Sequence, residues 1–122
     1  MKLLYLLVIV LLSLFSIISC SIPNEYQNDD IFVTRGNLEL KIINKSDRTI
    51  YYFIVEQNIA AIINWAPSLN SPSIQSGKYV AVKHSEISGE NQSVKKGSKV
   101  NIYYWYAPSL SKYDIKGVVI EI

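Results

Sequence analysis

The sequence has one cysteine, Cys20, and one histidine, His84, among its 122 residues. A single cysteine allows no disulfide within the chain, so a folded domain must be held by apolar packing. A single histidine allows no cluster of histidine metal ligands. The formal charge of +2 is too small to indicate a nucleic-acid partner, and no glycine-rich phosphate loop is present. These absences predict a protein without a cofactor or metal.

What the chain does contain is an apolar N-terminus. A short positive start at Met1-Lys2 precedes residues 3–15, which are almost wholly apolar. A small residue, Ser19, stands before Cys20. A charged start, an apolar run and a small residue at the cleavage point are typical of a secretory signal peptide.

The segment Ile17-Ile18-Ser19-Cys20 resembles the lipobox of bacterial lipoproteins. The resemblance implies that a signal peptide, residues 1–19, is removed and that Cys20 carries the lipid as the first mature residue. Two acyl chains hold a soluble domain stably at a membrane, whereas one holds it only marginally. Serine rather than aspartate follows the cysteine, which by the same resemblance favours the outer membrane over the inner membrane.

Two other interpretations of the N-terminus stay open. Residues 3–19 are uncharged, and an uncleaved anchor is one alternative, although about 20 apolar residues are needed to match a hydrocarbon core of ~30 Å. A plain secretory signal with an incidental cysteine is the other. In each case about a hundred residues remain, which is enough for one small domain.

The region after the cysteine divides into two parts. Residues 20–35 are mostly polar and lack a helical or alternating period, so they predict a lipidated cysteine followed by a flexible tether. About 15 flexible residues would give an r.m.s. reach of roughly 20 Å. Ile31-Phe32-Val33 is alternatively an edge strand. Residues 36–122 then form the folded domain.

Strand patterns dominate this domain. Leu38, Leu40 and Ile42 alternate with charged residues, which predicts one buried and one solvated face. The turn formers of residues 44–47 predict a hairpin to the next strand, which is apolar on both faces and therefore central. Residues 57–61 are ambiguous and could form one helical turn. The six predicted strands are residues 38–42, 49–56, 62–66, 78–84, 100–107 and 115–122.

Six strands with short turns predict an all-β fold, an antiparallel β-sandwich of immunoglobulin-like outline, with a small open barrel as the alternative. Residues 44–105 also resemble small lipoproteins of gut-type anaerobic bacteria. The shared segments are Thr49-Ile50-Tyr51-Tyr52, Asn64-Trp65-Ala66-Pro67 and Tyr103-Tyr104-Trp105. That resemblance implies a β-sandwich lipoprotein and brings no activity with it.

Catalytic residues are hard to find in this sequence. A serine nucleophile with His84 as its base would need an orienting carboxylate, and no motif marks one. Glu56, Glu86 and Asp114 could meet in space as carboxylates for glycoside hydrolysis, although their spacing does not indicate it. Lys95, Lys96 and Lys99 form a basic cluster at a turn, either solvated or in contact with anionic groups. The sequence therefore predicts no enzyme.

The aromatic residues are the feature most open to a binding role. Tyr51, Tyr103 and Trp105 fall on one face of their strands, where tyrosine and tryptophan rings are suited to sugars or to protein hot spots. The alternative is that the rings fill the core. Tyr104 and Tyr106 share the more apolar side of their strand with Val100 and Ile102. We therefore expect these two tyrosines in the core, and we expect Trp105 to touch a ligand.

Taken together, these patterns predict a membrane-anchored, non-catalytic lipoprotein of the cell envelope that acts as a binding or accessory module. Lipid on Cys20 is its link to the membrane, and an envelope protein or a glycan is its expected partner. A glycan-binding protein with an exposed aromatic strip, or a purely structural envelope component, are the alternatives.

Overall fold

The computed structural model describes residues 2–6, 8, 25–89, 92–107 and 114–122. Residues 2–6 are helical, and the predicted lipidation site Cys20 lies outside the described residues. The remaining ranges contain one short helix, α1 (Gln57–Ala60), a 3-10 turn at His84–Glu86, and ten strands. The strands are β1 (Glu25–Gln27), β2 (Ile31–Arg35), β3 (Glu39–Asn44), β4 (Ile50–Glu56), β5 (Ser73–Ile74), β6 (Tyr79–Lys83), β7 (Ser88–Gly89), β8 (Gln92–Ser93), β9 (Lys99–Tyr106) and β10 (Lys116–Glu121).

The strands form two sheets that pack together, which confirms the predicted all-β sandwich. Sheet A has the order β1-β2-β3-β6, and every neighbouring pair in it is antiparallel. Sheet B has the order β10-β9-β4-β7-β8, with β5 also paired to β4. One parallel pair, Val55 with Ser88, joins β4 to β7. The central position predicted for the residue 49–56 strand is confirmed, because β4 lies between β9 and β7.

The core lies between the inner faces of the sheets. Alternate residues of β2 and β3 point inward from sheet A, and those of β9 and β10 point inward from sheet B, as the period of two requires. Burying one such aliphatic side chain is worth roughly 1.5–3 kcal/mol. The most deeply buried members of the core are Ile31, Val33, Leu40, Ile42, Ile50, Ile87, Val100, Ile102 and Tyr104.

The structure corrects the predicted tether. Residues 25–27 and 31–35 form β1 and β2, and β2 is an internal strand of sheet A rather than an edge. Ile31 and Val33 are fully buried, and their alternate positions are typical of a strand with one buried face. The polar residues before them hid this pattern in the sequence. Within the described residues, the strands of the folded domain therefore start at Glu25 and not after Arg35.

The predicted hairpin after β3 is also wrong, because β3 belongs to sheet A and β4 to sheet B. Asn44 organises this crossover with a fully buried side chain. Its amide nitrogen donates hydrogen bonds to the carbonyl oxygens of Arg48 (2.7 Å) and Ile74 (2.9 Å). Its side-chain oxygen accepts bonds from the backbone N–H and the hydroxyl of Ser46. Such a satisfied buried amide fixes the path of the chain between the sheets.

Two further expectations change. Residues 62–66 form no strand, and Leu38 is 79% exposed because β3 begins one residue after it. The helical turn considered for residues 57–61 is present as α1, which packs on β4 and β9. The segment from α1 to Pro72 therefore runs over the outer face of sheet B and returns to β5.

Candidate functional site

The predicted aromatic strip is a closed aromatic cluster, made of Tyr51, Phe53, Trp65, Tyr103 and Trp105. The register pairs Tyr51 with Trp105 and Phe53 with Tyr103, so these four rings share the outer face of sheet B. Trp65 comes from the segment after α1 and lies over them. Its ring centroid is 4.9 Å from that of Phe53, 4.9 Å from that of Tyr103 and 6.1 Å from that of Trp105. Such offset ring packing stabilises the segment on the sheet.

Trp105, which we expected to touch a ligand, is only 1% exposed, so it offers no open surface for that contact in this structure. The expectation for the other face holds: Tyr104 is buried in the core, and Tyr106 is half-buried and packs against it. Strand alternation separated the two faces correctly, but it carried no information about the Trp65 segment that covers the outer one. Tyr103 is half-buried beside Trp65, and Tyr51 is half-buried beside Trp105, so these three residues do not form an open stacking surface.

A polar network around Asp30 joins the two sheets. Asp30, just before β2, accepts hydrogen bonds from the hydroxyls of Tyr104 (3.1 Å) and Tyr106, and Lys116 of β10 pairs with it. Asn28 donates to the Tyr104 hydroxyl at 2.8 Å. Burial alone would raise the pKa of the Asp30 carboxyl, but the bonds from the lysine and the two tyrosines outweigh burial and hold that pKa below its ordinary 3.8. The network therefore stabilises the charged form of Asp30 and fastens the N-terminal strands to sheet B.

The residues considered for catalysis do not assemble into a recognisable centre. Glu56 is buried at the end of β4, while Glu86 and Asp114 are exposed. His84 lines a separate cavity of about 310 Å³ together with Arg35, and its Nε2 is buried without a hydrogen-bond partner among the described residues. Over the same residues, His, Asp and Glu side chains nowhere gather in a group of three that could hold a metal ion. The basic residues Lys95, Lys96 and Lys99 are all exposed.

An open groove of about 340 Å³ lies at the side of the sandwich where β6 ends sheet A. One wall is formed by residues 80–82 of β6, and the opposite wall by residues 52–54 of β4. Pro72 and residues 86–88 also line it. The groove is therefore apolar on its two long walls, with the carboxylate of Glu86 as the charged group in its lining.

Of the two strands that border this groove, β6 has backbone groups without a strand partner, whereas β4 has partners on its groove side. There β5 pairs with Ile50 and Tyr51, the Tyr52 N–H donates to the Pro72 carbonyl (3.0 Å), and β7 pairs with Val55. Strand β6 pairs only with β3 within the described residues. The groove is thus an open seam between the two sheets.

The register shows which β6 groups face the open side. Asn44 N–H donates to the Lys78 carbonyl (2.9 Å), and His84 N–H donates to the Leu38 carbonyl (2.8 Å). Antiparallel ladders alternate between bonded and non-bonded pairs, so residues 78, 80, 82 and 84 bond to β3. The N–H and C=O groups of Tyr79, Ala81 and Lys83 therefore point to the free edge.

Comparison with models of protein families, with curated proteins and with solved structures found no match to this chain. Within the described residues, no helix combines the length and the apolar content needed to cross a bilayer. Geometry alone therefore identifies the candidate site. Among the described residues, the groove beside β6 combines free backbone groups with an accessible apolar lining.

The sequence carries a local sign of this edge. Val80 and Val82 alternate with exposed residues in the segment between Lys78 and Lys83. Lysine is a common residue on unpaired edge strands. The groove itself could not be predicted, since it depends on the separation between β6 and β4 in different sheets.

Proposed function

We propose that the protein is a lipid-anchored, non-catalytic domain of the bacterial cell envelope that binds a partner at the groove beside β6. The observation that carries this proposal is the arrangement of sheet A, in which β1 and β6 are the two opposite edges. Strand β1 is the first strand after the proposed lipid site, and β6 borders the groove. The proposed anchor and the groove therefore lie at opposite edges of sheet A.

The position of β1 makes the proposed anchor a short one. Four residues separate Cys20 from Glu25, the first residue of β1. Five Cα steps of about 3.4 Å each limit the distance from Cys20 to Glu25 to roughly 17 Å. A lipid on Cys20 would therefore hold the β1 edge close to a membrane surface, and Ser21 favours the outer membrane as that surface.

The groove would then lie away from the anchor. Three interstrand spacings of about 4.8 Å separate β1 from β6, which places the groove roughly 14 Å across the sheet from the anchored edge. A partner could reach β6 without displacing the lipid-linked residues. This separation supports a binding or accessory role for the module in the envelope.

The alternative of a glycan-binding aromatic strip loses its support, because Trp65 covers Tyr103 and Trp105. A purely structural envelope component is the remaining alternative. It requires no free groove, so substitutions at the free edge of β6 would leave such a role unchanged.

The anchoring part of the proposal is tested by replacing the lipid acceptor. In a bacterial host, Cys20→Ala should abolish labelling by radioactive palmitate and move the protein from the detergent phase to the aqueous phase. Ser21→Ala is the matched control next to it and should keep both the label and the detergent phase. Equal labelling of wild type and Cys20→Ala would refute lipid anchoring at this cysteine.

A further inference from the structure

One more strand could be added to sheet A beside β6, since β6 is an edge of the sheet and residues 80–82 form a wall of the groove. Such a strand would hydrogen-bond to the free N–H and C=O groups of Tyr79, Ala81 and Lys83. Because side chains alternate along a strand, every second side chain of the added strand would point into the space between the sheets. That space is the groove, bounded by the half-buried Val80 and Val82 and by residues 52–54 of β4.

The charges around β6 indicate which strand fits. Lys78 and Lys83 are exposed at the two ends of β6, and the ammonium group of Lys41 lies 4.2 Å from the centre of the Tyr79 ring. Two carboxylates oppose these lysines: Glu39, which is the cross-strand partner of Lys83, and Glu86, which lines the groove. Lys41, Lys78 and Lys83 outnumber them. The ends of β6 therefore favour a segment with acidic residues at its termini.

A second copy of this chain fits the edge less well. Antiparallel pairing of β6 with its own copy, centred on Ala81, would bring Lys83 of each chain toward the end that carries Lys78 and Lys41 of the other. Like charges gathered at both ends disfavour that association, which is the usual reason for lysines on edge strands. In addition, Val80 and Val82 of a second copy already face the interior of their own sandwich.

On these grounds, and resting on the proposed binding role, we propose that the groove accepts an extended peptide segment of another protein as an added β-strand beside β6. The segment has apolar residues at alternate positions, which enter the groove, and acidic residues at its ends, which face Lys78 and Lys83. Main-chain hydrogen bonds supply much of the affinity in this mode, and the alternating side chains supply the selectivity.

The test uses full-length protein in detergent micelles and a fluorescent synthetic peptide of about nine residues, a length within the usual range for strands. Valine and threonine alternate in this peptide, and aspartates occupy both ends. A control peptide has the same composition with its valines consecutive, and a second control replaces the aspartates by lysines. Fluorescence anisotropy should show binding of the first peptide and binding at least about tenfold weaker for each control.

Two substitutions at one position separate strand addition from other kinds of contact. Ala81→Pro removes an N–H that points to the free edge and is not used by β3, so sheet A should keep its fold. Ala81→Val keeps that N–H and is the matched control. We expect the proline variant to bind the aspartate-ended peptide at least about tenfold more weakly, and the valine variant to bind it as wild type does.

A charge-reversal variant tests the role of the two lysines. Lys78→Glu combined with Lys83→Glu should reverse the preference, so that the lysine-ended peptide binds more tightly than the aspartate-ended one. Equal binding by wild type, Ala81→Pro and Ala81→Val would overturn strand addition. A dimer of the chain that is lost in Ala81→Pro, with no binding of the aspartate-ended peptide, would show that a second copy is the occupant and would also overturn the proposal.

The peptide test is independent of lipid anchoring. Cys20→Ala should bind the aspartate-ended peptide with the same affinity as wild type in micelles, because the described residues that line the groove all lie between Tyr52 and Ser88. Loss of palmitate labelling without loss of peptide binding supports both proposals. If Cys20→Ala keeps the palmitate label, the anchoring proposal fails. The strand-addition proposal is then still tested by peptide binding to wild type, Ala81→Pro and Ala81→Val.

Discussion

The carboxylate of Asp30 accepts a hydrogen bond from the hydroxyl of Tyr104, 3.1 Å away, and this bond links the start of β2 in sheet A to the middle of β9 in sheet B. Tyr104 is buried in the core, whereas the Asp30 side chain is 17% exposed. The pair therefore connects the packed interior to the edge of the domain nearest the proposed anchor.

Replacement of Asp30 should destabilise the domain in a pH-dependent way. Asp30→Asn removes the charge that the lysine and the two tyrosines stabilise, and we expect a loss of about 1–3 kcal/mol in the free energy of unfolding near neutral pH. Because the folded-state pKa of Asp30 is lowered, its contribution is present above the ordinary pKa of 3.8, which applies to the unfolded chain, and is lost as the pH falls through the folded value.

Denaturant unfolding at several pH values measures this difference. The gap between wild type and Asp30→Asn should be widest near neutral pH and close in strong acid. Asp29→Asn is the matched control, since Asp29 is an exposed neighbour, and it should change stability by no more than about 0.5 kcal/mol. A gap between wild type and Asp30→Asn that is constant with pH would contradict the role given to the charged carboxylate.

Trp105 should behave as a core residue. We expect Trp105→Ala to lower the free energy of unfolding by about 3–5 kcal/mol, the range for loss of a buried large ring. Leu69→Ala, at a half-exposed position in the segment that covers sheet B, should cost far less. Chemical denaturation of the two variants compares them directly. A cost for Trp105→Ala as small as that for Leu69→Ala would show that the ring is not buried.

Removal of Trp65 should uncover Trp105. The chain has two tryptophans, so the fluorescence of Trp65→Ala comes from Trp105 among the tryptophans. Trp65→Phe keeps an aromatic ring over Trp105 and is the matched control. We expect the Trp105 emission of Trp65→Ala to be red-shifted relative to that of Trp65→Phe, and acrylamide to quench it more strongly. Identical quenching in the two variants would mean that Trp65 does not shield Trp105.

Asn44 should be sensitive to substitution despite its place at a turn. Asn44→Ala removes the buried amide and leaves the carbonyl oxygens of Arg48 and Ile74 without their side-chain donor. We expect a loss of about 2–3 kcal/mol, since several buried groups lose a partner at once. Asn37→Ala, at an exposed position before β3, is the control for the thermal or denaturant midpoint and should remain close to wild type.

The sequence predicted the fold class because the strands record burial locally. Strand β4 is apolar on both faces, and in β9 the alternation along the strand placed Tyr104 inside and Trp105 on the opposite face. The hairpin prediction failed because turn formers around Asn44 indicate a change of direction and not the sheet that the next strand joins. The tether prediction failed because only Ile31 and Val33 marked β2, within a polar stretch.

The site was less predictable than the fold. Burial of Trp105 depends on Trp65, which is distant in sequence and belongs to a segment without a regular period. The free edge of β6 depends on which strands end a sheet, and that is a property of topology rather than of residue pattern. Lys78 and Lys83 were the local sign of that edge.

The central claim is that β6 presents an unpaired edge in the native protein, and amide hydrogen exchange resolved by residue tests it most directly. In the full-length protein in micelles, the N–H groups of Val80 and Val82 should exchange slowly because they bond to β3. Those of Tyr79, Ala81 and Lys83 should exchange quickly and become protected when the aspartate-ended peptide binds. Equal, strong protection of all five amides in the free protein would contradict the open edge and the binding role built on it.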